Sequence, residues 1–482
     1  MEIKMTEYTF IHLPPRRTNR SEGDIRFGNL LWLAKFKRGK YNFTRQDIKE
    51  RWGVDLLDLS GANKLFLASL PVWYAHLVPI LDEAKHTHSL VDLIDGEINS
   101  GKDNEEELDK KIPYSENYLL SPVNNNTPLS FEVIDFIKKY RRNARILVGG
   151  AQASFEDTEF LERGADIIVR GEGEKTFEEI VKGFPLDKIR GITYQKNQEI
   201  IRNTPQELIQ DLDKLPFYNL ANQPSQYNPS FYIRFFAQRG CPMNCCFCSD
   251  VLWANKSVRR KSINRLKREL DSITSGSNFL EFHVSDNCLS SSKTFARQFA
   301  EVILDYNLDW TAETRVDMID KETLEYLAKS GCVELEYGVE SANEHVLRLT
   351  NKRQDKRKII RAFELTKEAG INVHTNWMIG LPGETKESML CNIEFACDMV
   401  RKGLIDTLNH VVMVPYPGTP LAKNPDKYGI RILTKDWEQY DEYGLPVFES
   451  DTMTRQETIE LYEYANKRFA EVLGDTHNSI LI

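Results

Sequence analysis

Short apolar runs alternate with amphipathic stretches along most of the chain. The first series holds KLFLASL at 64–70, an apolar helix from about Val72, SLVDLI at 89–94 and NYLLSPV at 117–123. A helix from about Leu129 to Tyr140, ARILVGG at 144–150 and ADIIVRGEGE at 165–174 complete it. Apolar runs of strand length separated by amphipathic helices predict βαβ units and a parallel sheet covered on both faces. GITYQKNQEIIRN, at 191–203, reads as a hairpin, and 205–230 as a Pro-containing connector. A second series follows, with candidate strands at 231–238, 280–285, 309–314, 333–338, 372–380 and 407–415. Six βα repeats predict a partial TIM-like barrel, whose working face lies at the carboxyl ends of the strands.

The expected fold is therefore α/β: an N-terminal doubly wound, Rossmann-like parallel sheet, a six-stranded partial (β/α)6 barrel and a helical C-terminal tail. The expected boundaries are an extension at 1–60, the first domain at 61–205, a linker at 206–230, the barrel at 231–425 and the tail at 426–482. Within the extension FGNLLWLAKF reads as helical, and in the tail TRQETIELYEYANKRFAEVL does so. The stretch GKDNEEELDKK at 101–111 reads as a solvated insertion or linker.

Composition narrows the class. The 482 residues are 41% hydrophobic and 28% charged, which places the chain among globular proteins and excludes collagen, coiled coil and general disorder. Lys and Arg number 63 against 72 Asp and Glu, so a net charge of -9 argues against nucleic acid as a partner. The start, MEIKMTEYTF, lacks the pattern of an export signal, and the apolar run Leu65–Leu81 is broken by Pro71 and Pro79. A cytoplasmic protein without membrane segments is expected.

The cysteines carry the chemistry. All 8 follow residue 240, and four fall within RGCPMNCCFCSD at 239–250, directly after the first barrel strand. Cys241, Cys245 and Cys248 form C-x3-C-x2-C, three thiolates spaced to wrap one iron–sulfur cube and leave one iron open. A zinc site would need a fourth ligand from a second pair or a spaced histidine, and neither follows. Cys246 reads as a bystander.

This segment, including Phe247 before the last cysteine, resembles the radical S-adenosylmethionine (SAM) superfamily. The resemblance implies a [4Fe–4S] cluster whose open iron binds the methionine end of SAM, and cleavage of the sulfonium to a 5′-deoxyadenosyl radical. It extends to the ends of later strands: Ser285-Asp286-Asn287, Thr314-Arg315-Val316-Asp317, Gly338-Val339-Glu340-Ser341 and Trp377 to Glu384. In these, Ser285, Glu340 and Ser341 are expected to bond the SAM ribose or amino group, with Asp286 in the same pocket. Arg315 is expected to pair with the SAM carboxylate, and Gly380 and Gly383 to allow close approach.

SPVNNNTPLS, ILVGGAQAS and VRGEGEKTFEEI resemble the cobalamin-binding domain found ahead of such barrels in one large subfamily. Gly149, Gly150, Gly171 and Glu172 are then expected at the corrin, with Ser121 and Thr127 at its nucleotide tail. The sequence lacks D-x-H-x-x-G, so cobalamin without a histidine ligand is expected. The resemblance implies cobalamin-dependent C-methylation of a peptide or natural product, with an electron donor such as flavodoxin or ferredoxin. The alternative is a cobalamin-free peptide epimerase, cyclase or rearrangement enzyme, for which Cys288, Cys332, Cys391 and Cys397 are candidate hydrogen donors. Methylthiolation of tRNA is disfavoured, because residues 1–240 hold no cysteine for a second cluster. The basic segments NKSVRRKSINRLKRE and NKRQDKRK read as solvated helix faces.

Overall fold

The computed structural model describes residues 6–13, 71–93, 104–216, 230–250, 256–276 and 279–478. These divide into two compact units. The first holds the described parts of 1–17 and 70–224 together with 436–438, and the second those of 225–435 and 439–482. The helix expected at 27–36 and the strand expected at 64–70 lie outside the described residues. No helix among the described residues is long and apolar enough to cross a membrane.

The first unit contains a seven-stranded sheet. Its strands are β1 (Thr6–His12), β2 (His88–Asp92), β3 (Ser115–Leu120), β4 (Arg145–Val148), β5 (Ile167–Val169), β6 (Ile192–Lys196) and β7 (Glu199–Arg202), in the order β2-β1-β3-β4-β5-β6-β7. The first five in that order are parallel; β6 and β7 add on antiparallel, as the expected hairpin. Asn197 and Gln198, both with positive φ, form its two-residue turn. Helices α1 (Val72–Ala84), α2 (Glu105–Lys111), α3 (Thr127–Tyr140), α4 (Gly150–Phe155), α5 (Asp157–Glu162) and α6 (Gly173–Val181) alternate with the strands. On one face Tyr8, Phe10, Leu119, Leu147, Ile167 and Val169 pack with Tyr74, Val78 and Leu81 of α1 and Phe177 and Ile180 of α6.

Two expectations change here. The segment 1–60, read as an extension, contributes β1, which lies between β2 and β3 inside the sheet. The acidic stretch at 101–111 is mostly the helix α2, whose Glu105 pairs with Lys139 at 2.7 Å.

The second unit carries a six-stranded parallel sheet of β8 (Ser230–Phe235), β11 (Phe279–Val284), β12 (Trp310–Thr314), β13 (Cys332–Glu340), β14 (Asn372–Ile379) and β15 (Thr407–Val412). Each of these pairs with its neighbour in the chain series, so the sheet is an open barrel with β8 and β15 at its edges. After β8, the two-residue strands β9 (Gln238–Arg239) and β10 (Arg259–Arg260) pair antiparallel. The covering helices are α7 (Ile263–Gly276), α8 (Lys293–Leu304), α9 (Lys321–Lys329), α10 (Glu344–Leu349), α11 (Lys356–Glu368) and α12 (Lys386–Arg401). From α8 to α12 each start is fixed by a side chain, Ser292, Asp320, Asn343, Asp355 or Thr385, that accepts a hydrogen bond from a first-turn N–H. The strands are thereby followed by helices at set points, and their ends are left for the loops.

The tail is not wholly helical. It forms a small antiparallel pair, β16 (Ile430–Ile432) with β17 (Phe448–Ser450), before a long helix at Arg455–Asn478 that packs on α12 through Arg468–Glu394.

The placement of β1 is testable. Phe10 is fully buried, and Phe10→Ala should cost about 3–5 kcal/mol. Hydrogen exchange by mass spectrometry on the full chain should then lose protection in β3 and β4. Protection equal to the native level would show that β1 is not a working strand of the sheet.

Candidate active site

The residues after β8 form a loop held by its backbone. Cys246 N–H donates to Thr350 O at 3.0 Å, Leu421 N–H to Cys246 O at 3.1 Å, and Asn351 Nδ2 to Asn244 O at 2.7 Å. All the cysteines are free, with Cys245 and Cys246 buried and Cys241 and Cys248 partly so. Burial pushes the Cys248 thiol up to about 12 and raises Cys241, and the charges of the three motif thiols are felt by one another. Thiols so placed stay protonated until a metal displaces the proton. A cation is also at hand: Arg315 Nη1 lies 3.9 Å from Cys245 Sγ. Among the described residues no three His, Cys, Asp or Glu side chains converge on one metal ion. In a cube each thiolate binds a different iron, so three cysteines need not converge in that way. The donor set therefore fits a cube. Cys246, with its thiol raised to about 12 by burial, is fixed through its backbone instead.

The other expected SAM contacts reach the same end of the barrel, but several are already engaged. Arg315 gives Nε and Nη2 to Asp317 at 3.0 and 3.1 Å and also donates from Nη2 to Lys352 O at 2.7 Å, so its forked face is not open to a carboxylate. Asp286 is fully buried and accepts from the N–H groups of Ala237 and Gln238 through Oδ1, clamping the end of β8; its Oδ2 has no partner. Ser341 is fully buried among Glu384, Asn392 and the Asn343 N–H. Glu340 has φ of 65°, at a register shift in β13, and accepts from Lys352 Nζ at 3.0 Å. A Cβ on Gly338 would lie 2.7 Å from that carboxylate, which is why the strand carries glycine there. A Cβ on Gly380 would lie 2.6 Å from Phe448, and one on Gly383 would lie 2.5 Å from Leu349. Both glycines thus admit protein side chains. Ser285 is half-buried beside Asp286, and Phe247 is buried.

Sequence reasoning missed Lys352, which lies in a basic segment read as solvated yet is buried against Glu340. The segment running into α7 is likewise misread: Arg259 and Arg265 are buried, and Lys261 and Arg265 both meet Glu269. A basic run beside a strand end was the available signal.

Of the four candidate hydrogen donors, Cys288 alone adjoins the cysteine loop. It is fully buried, 3.9 Å from Thr314 Oγ1 and 3.7 Å from Met318 Sδ, and it feels the charge of Cys241. Cys332 opens β13 at its amino end, Cys391 is exposed on α12, and Cys397 faces Arg468 O from the same helix. These three are placed away from the carboxyl ends of the strands.

In the first unit, Ser121, Gly149, Gly150 and Gly171 gather at the carboxyl ends of β3, β4 and β5. Gly150 has φ of 88°, and a Cβ there would lie 2.7 Å from Ser121 Oγ. Nearby, the buried Gln152 has neither amide atom partnered, and Asn124 Nδ2 is also unpartnered. Spare amides beside a glycine cradle fit a corrinoid rimmed by amides. Thr127 and Glu172 do not join them: Thr127 Oγ1 donates to Val123 O, and Glu172 Oε2 accepts from the Ile209 N–H.

A cysteine loop after the first strand of an open parallel barrel, behind a separate doubly wound unit, defines an iron–sulfur enzyme of the partial-barrel class. Residues 236–396 match the family model of the Radical SAM superfamily, and residues 91–181 that of the B12 binding domain. The chain carries a radical SAM domain and, ahead of it in the sequence, a B12-binding domain. The cofactors of these domains are a [4Fe–4S] cluster with SAM, and cobalamin. Among curated relatives, the chain is 29% identical to an uncharacterized methyltransferase of Pyrococcus horikoshii, over 64% of this chain and 69% of that one. It is 24% identical to the anaerobic magnesium-protoporphyrin IX monomethyl ester cyclase of Cereibacter sphaeroides, over 83% and 67%. The fold resembles that of the radical SAM methyltransferase TsrM of Kitasatospora setae, with a TM-score of 0.63 and 15% identity over 97% of this chain and 89% of that one.

The buried Glu384 gives a pH test. Burial pushes its carboxyl up to about 7 against an ordinary 4.5, with the Ser341 and Ser388 hydroxyls opposing. The folded chain then binds more protons than the unfolded one between those values, so this group's contribution falls as pH rises from 4.5 to 7. Glu384→Gln should remove that slope, and native stability relative to the variant should drop across the whole window by roughly 3 kcal/mol. Urea unfolding of both proteins at each end of the window measures it. A stability difference that does not change with pH would show that Glu384 is ionised in the fold.

Proposed function

We propose that the protein is a cobalamin-dependent C-methyltransferase that acts on an unactivated carbon of a peptide or natural product. In this reading the cluster is held by Cys241, Cys245 and Cys248. When bound, the cluster and SAM supply a hydrogen-abstracting 5′-deoxyadenosyl radical, and methylcobalamin supplies the methyl group. The chain's residues bind and shield these groups: Arg315 offsets the thiolate charge, and Ser285 and Glu340 line the SAM side. A one-electron donor such as flavodoxin or ferredoxin completes the cycle. The catalytic domain spans 231–425, and the corrinoid domain is 61–205 with β1 added. The observation that carries the reading is the pairing of a B12-binding domain with a radical SAM domain in one chain. Support also comes from the glycine cradle and spare amides at the strand ends.

A second reading rests on Cys288. A peptide epimerase needs a thiol to return hydrogen to the substrate radical, and Cys288 is a buried thiol beside the cysteine loop. Ring closure or rearrangement without methyl transfer belongs to the same alternative.

Replacing Cys241, Cys245 and Cys248 together by Ala should abolish iron binding and 5′-deoxyadenosine formation under dithionite, whereas Cys246→Ala should keep its iron. Continued 5′-deoxyadenosine from the triple variant would refute the ligand set. With methyl-deuterated SAM, methylation gives a product heavier by one labelled methyl. A product without it that gains one deuterium from deuterium oxide, and is lost in Cys288→Ala, would establish the epimerase.

A further inference from the structure

One more residue stands at the carboxyl ends of the first unit's strands. The order β2-β1-β3 places the reversal of strand order between β1 and β3, and in open α/β sheets ligands bind outside the carboxyl ends at that point. The last residue of β1 is His12. Its neighbours follow from the register. Phe10 is opposite Leu119, and Leu119 is opposite Leu147, all on the face covered by α1 and α6. Side chains repeat every second residue along a strand, so one pleat further on the same face come His12, Ser121 and Gly149. His12 thus stands in one row with two residues of the corrinoid cradle.

The loops on either side are fixed. Asn126 Nδ2 donates to Leu13 O at 3.2 Å, and its Oδ1 accepts from the Val123 N–H at 2.8 Å, so the residues after β1 and β3 are tied together. Next to this clamp Asn124 keeps an unpartnered Nδ2, and Gln152, 2% exposed, keeps both amide atoms unpartnered. Spare amide atoms thus lie in the segments after β3 and β4, beyond the same strand ends as His12. No hydrogen bond engages the His12 ring among the described residues, and its opposite neighbour in β2 is Asp92. Burial lowers the imidazole's affinity for a proton, against the raising effect of Asp92. A neutral imidazole has one N–H donor and one acceptor, which suits amides and ribose hydroxyls.

We propose that His12 is a hydrogen-bonding contact of the bound corrinoid, meeting its peripheral amides or nucleotide tail and leaving the cobalt unligated by protein nitrogen. The inference rests on the cobalamin reading above and assigns a residue from the segment first read as an extension. It also explains how a chain without D-x-H-x-x-G can carry a histidine at this site in a different role.

The test uses the full chain and cob(II)alamin. His12→Ala should weaken binding about tenfold in equilibrium dialysis, the worth of one or two hydrogen bonds, and His12→Gln should recover part of the loss. Circular dichroism of the variants without cofactor should match the native chain. The cob(II)alamin spectrum in electron paramagnetic resonance should show no nitrogen splitting that is altered by 15N-histidine labelling. Native affinity in His12→Ala would overturn the proposal, and so would a label-sensitive splitting, which would make a histidine a cobalt ligand, and His12 that ligand if the splitting is lost in His12→Ala. Failure of the native chain itself to bind cobalamin would instead overturn the reading on which the proposal rests.

Discussion

The second unit depends on one buried guanidinium. Arg315 leaves β12 at its carboxyl end, pairs in a fork with Asp317, donates to the carbonyl of Lys352 and faces Cys245 Sγ. Burial alone disfavours its charge; the Asp317 carboxylate more than restores it, and Arg315 titrates above its ordinary value. The turn it holds, 350–352, is the one that grips the cysteine loop, through Thr350 O and Asn351. Removing one partner of such a buried pair costs more than the pair itself contributes, because the other charge is left in a poor solvent. Loop position and loop electrostatics are therefore set by the same side chain.

A second buried pair, Glu340 with Lys352, leaves from the same turn. Glu340 takes a left-handed backbone at the register shift, and the missing side chain of Gly338 makes room for its carboxylate. Such a conformation in a non-glycine residue persists where the surroundings over-determine it, and it turns Glu340 out of the regular alternation of its strand. Lys352 thus links two strand ends, through its backbone to β12 and through its ammonium to β13.

Much of this was legible in the sequence. Strands buried on both faces are continuous apolar runs, and the runs at 309–314, 372–380 and 407–415 carried their own boundaries. The cysteine spacing likewise stands within eight residues and needs no tertiary information. What escaped was of two kinds. β1 is seven residues long, TEYTFIH, in which polar residues interrupt the apolar ones, so no continuous apolar run marked it. The partners of Arg315, Ser341 and Asp286 are residues 2 to 70 positions away, and a polar side chain at a strand end looks the same whether it awaits a ligand or is bound to Asp317, Asn392 or a backbone amide. Sequence reading therefore found the end of the barrel where chemistry is placed, while the hydrogen bonds decided which of its polar groups are spent on holding it.

The position of β1 also bears on how the chain comes to be folded. Thr9 bonds to Ser89, 80 residues on, and Ser115 to Thr6 across 109. The pairing of β1 is thus completed only after more than a hundred further residues have emerged. Closing so long a loop adds only slowly to the entropic cost, but non-local pairing is slow to form. β2 can close one edge of β1 first, but until β3 arrives the other edge stays open, a state prone to pairing with other chains. Synthesis rate and chaperone access should accordingly govern the yield of the first unit more than its final stability does.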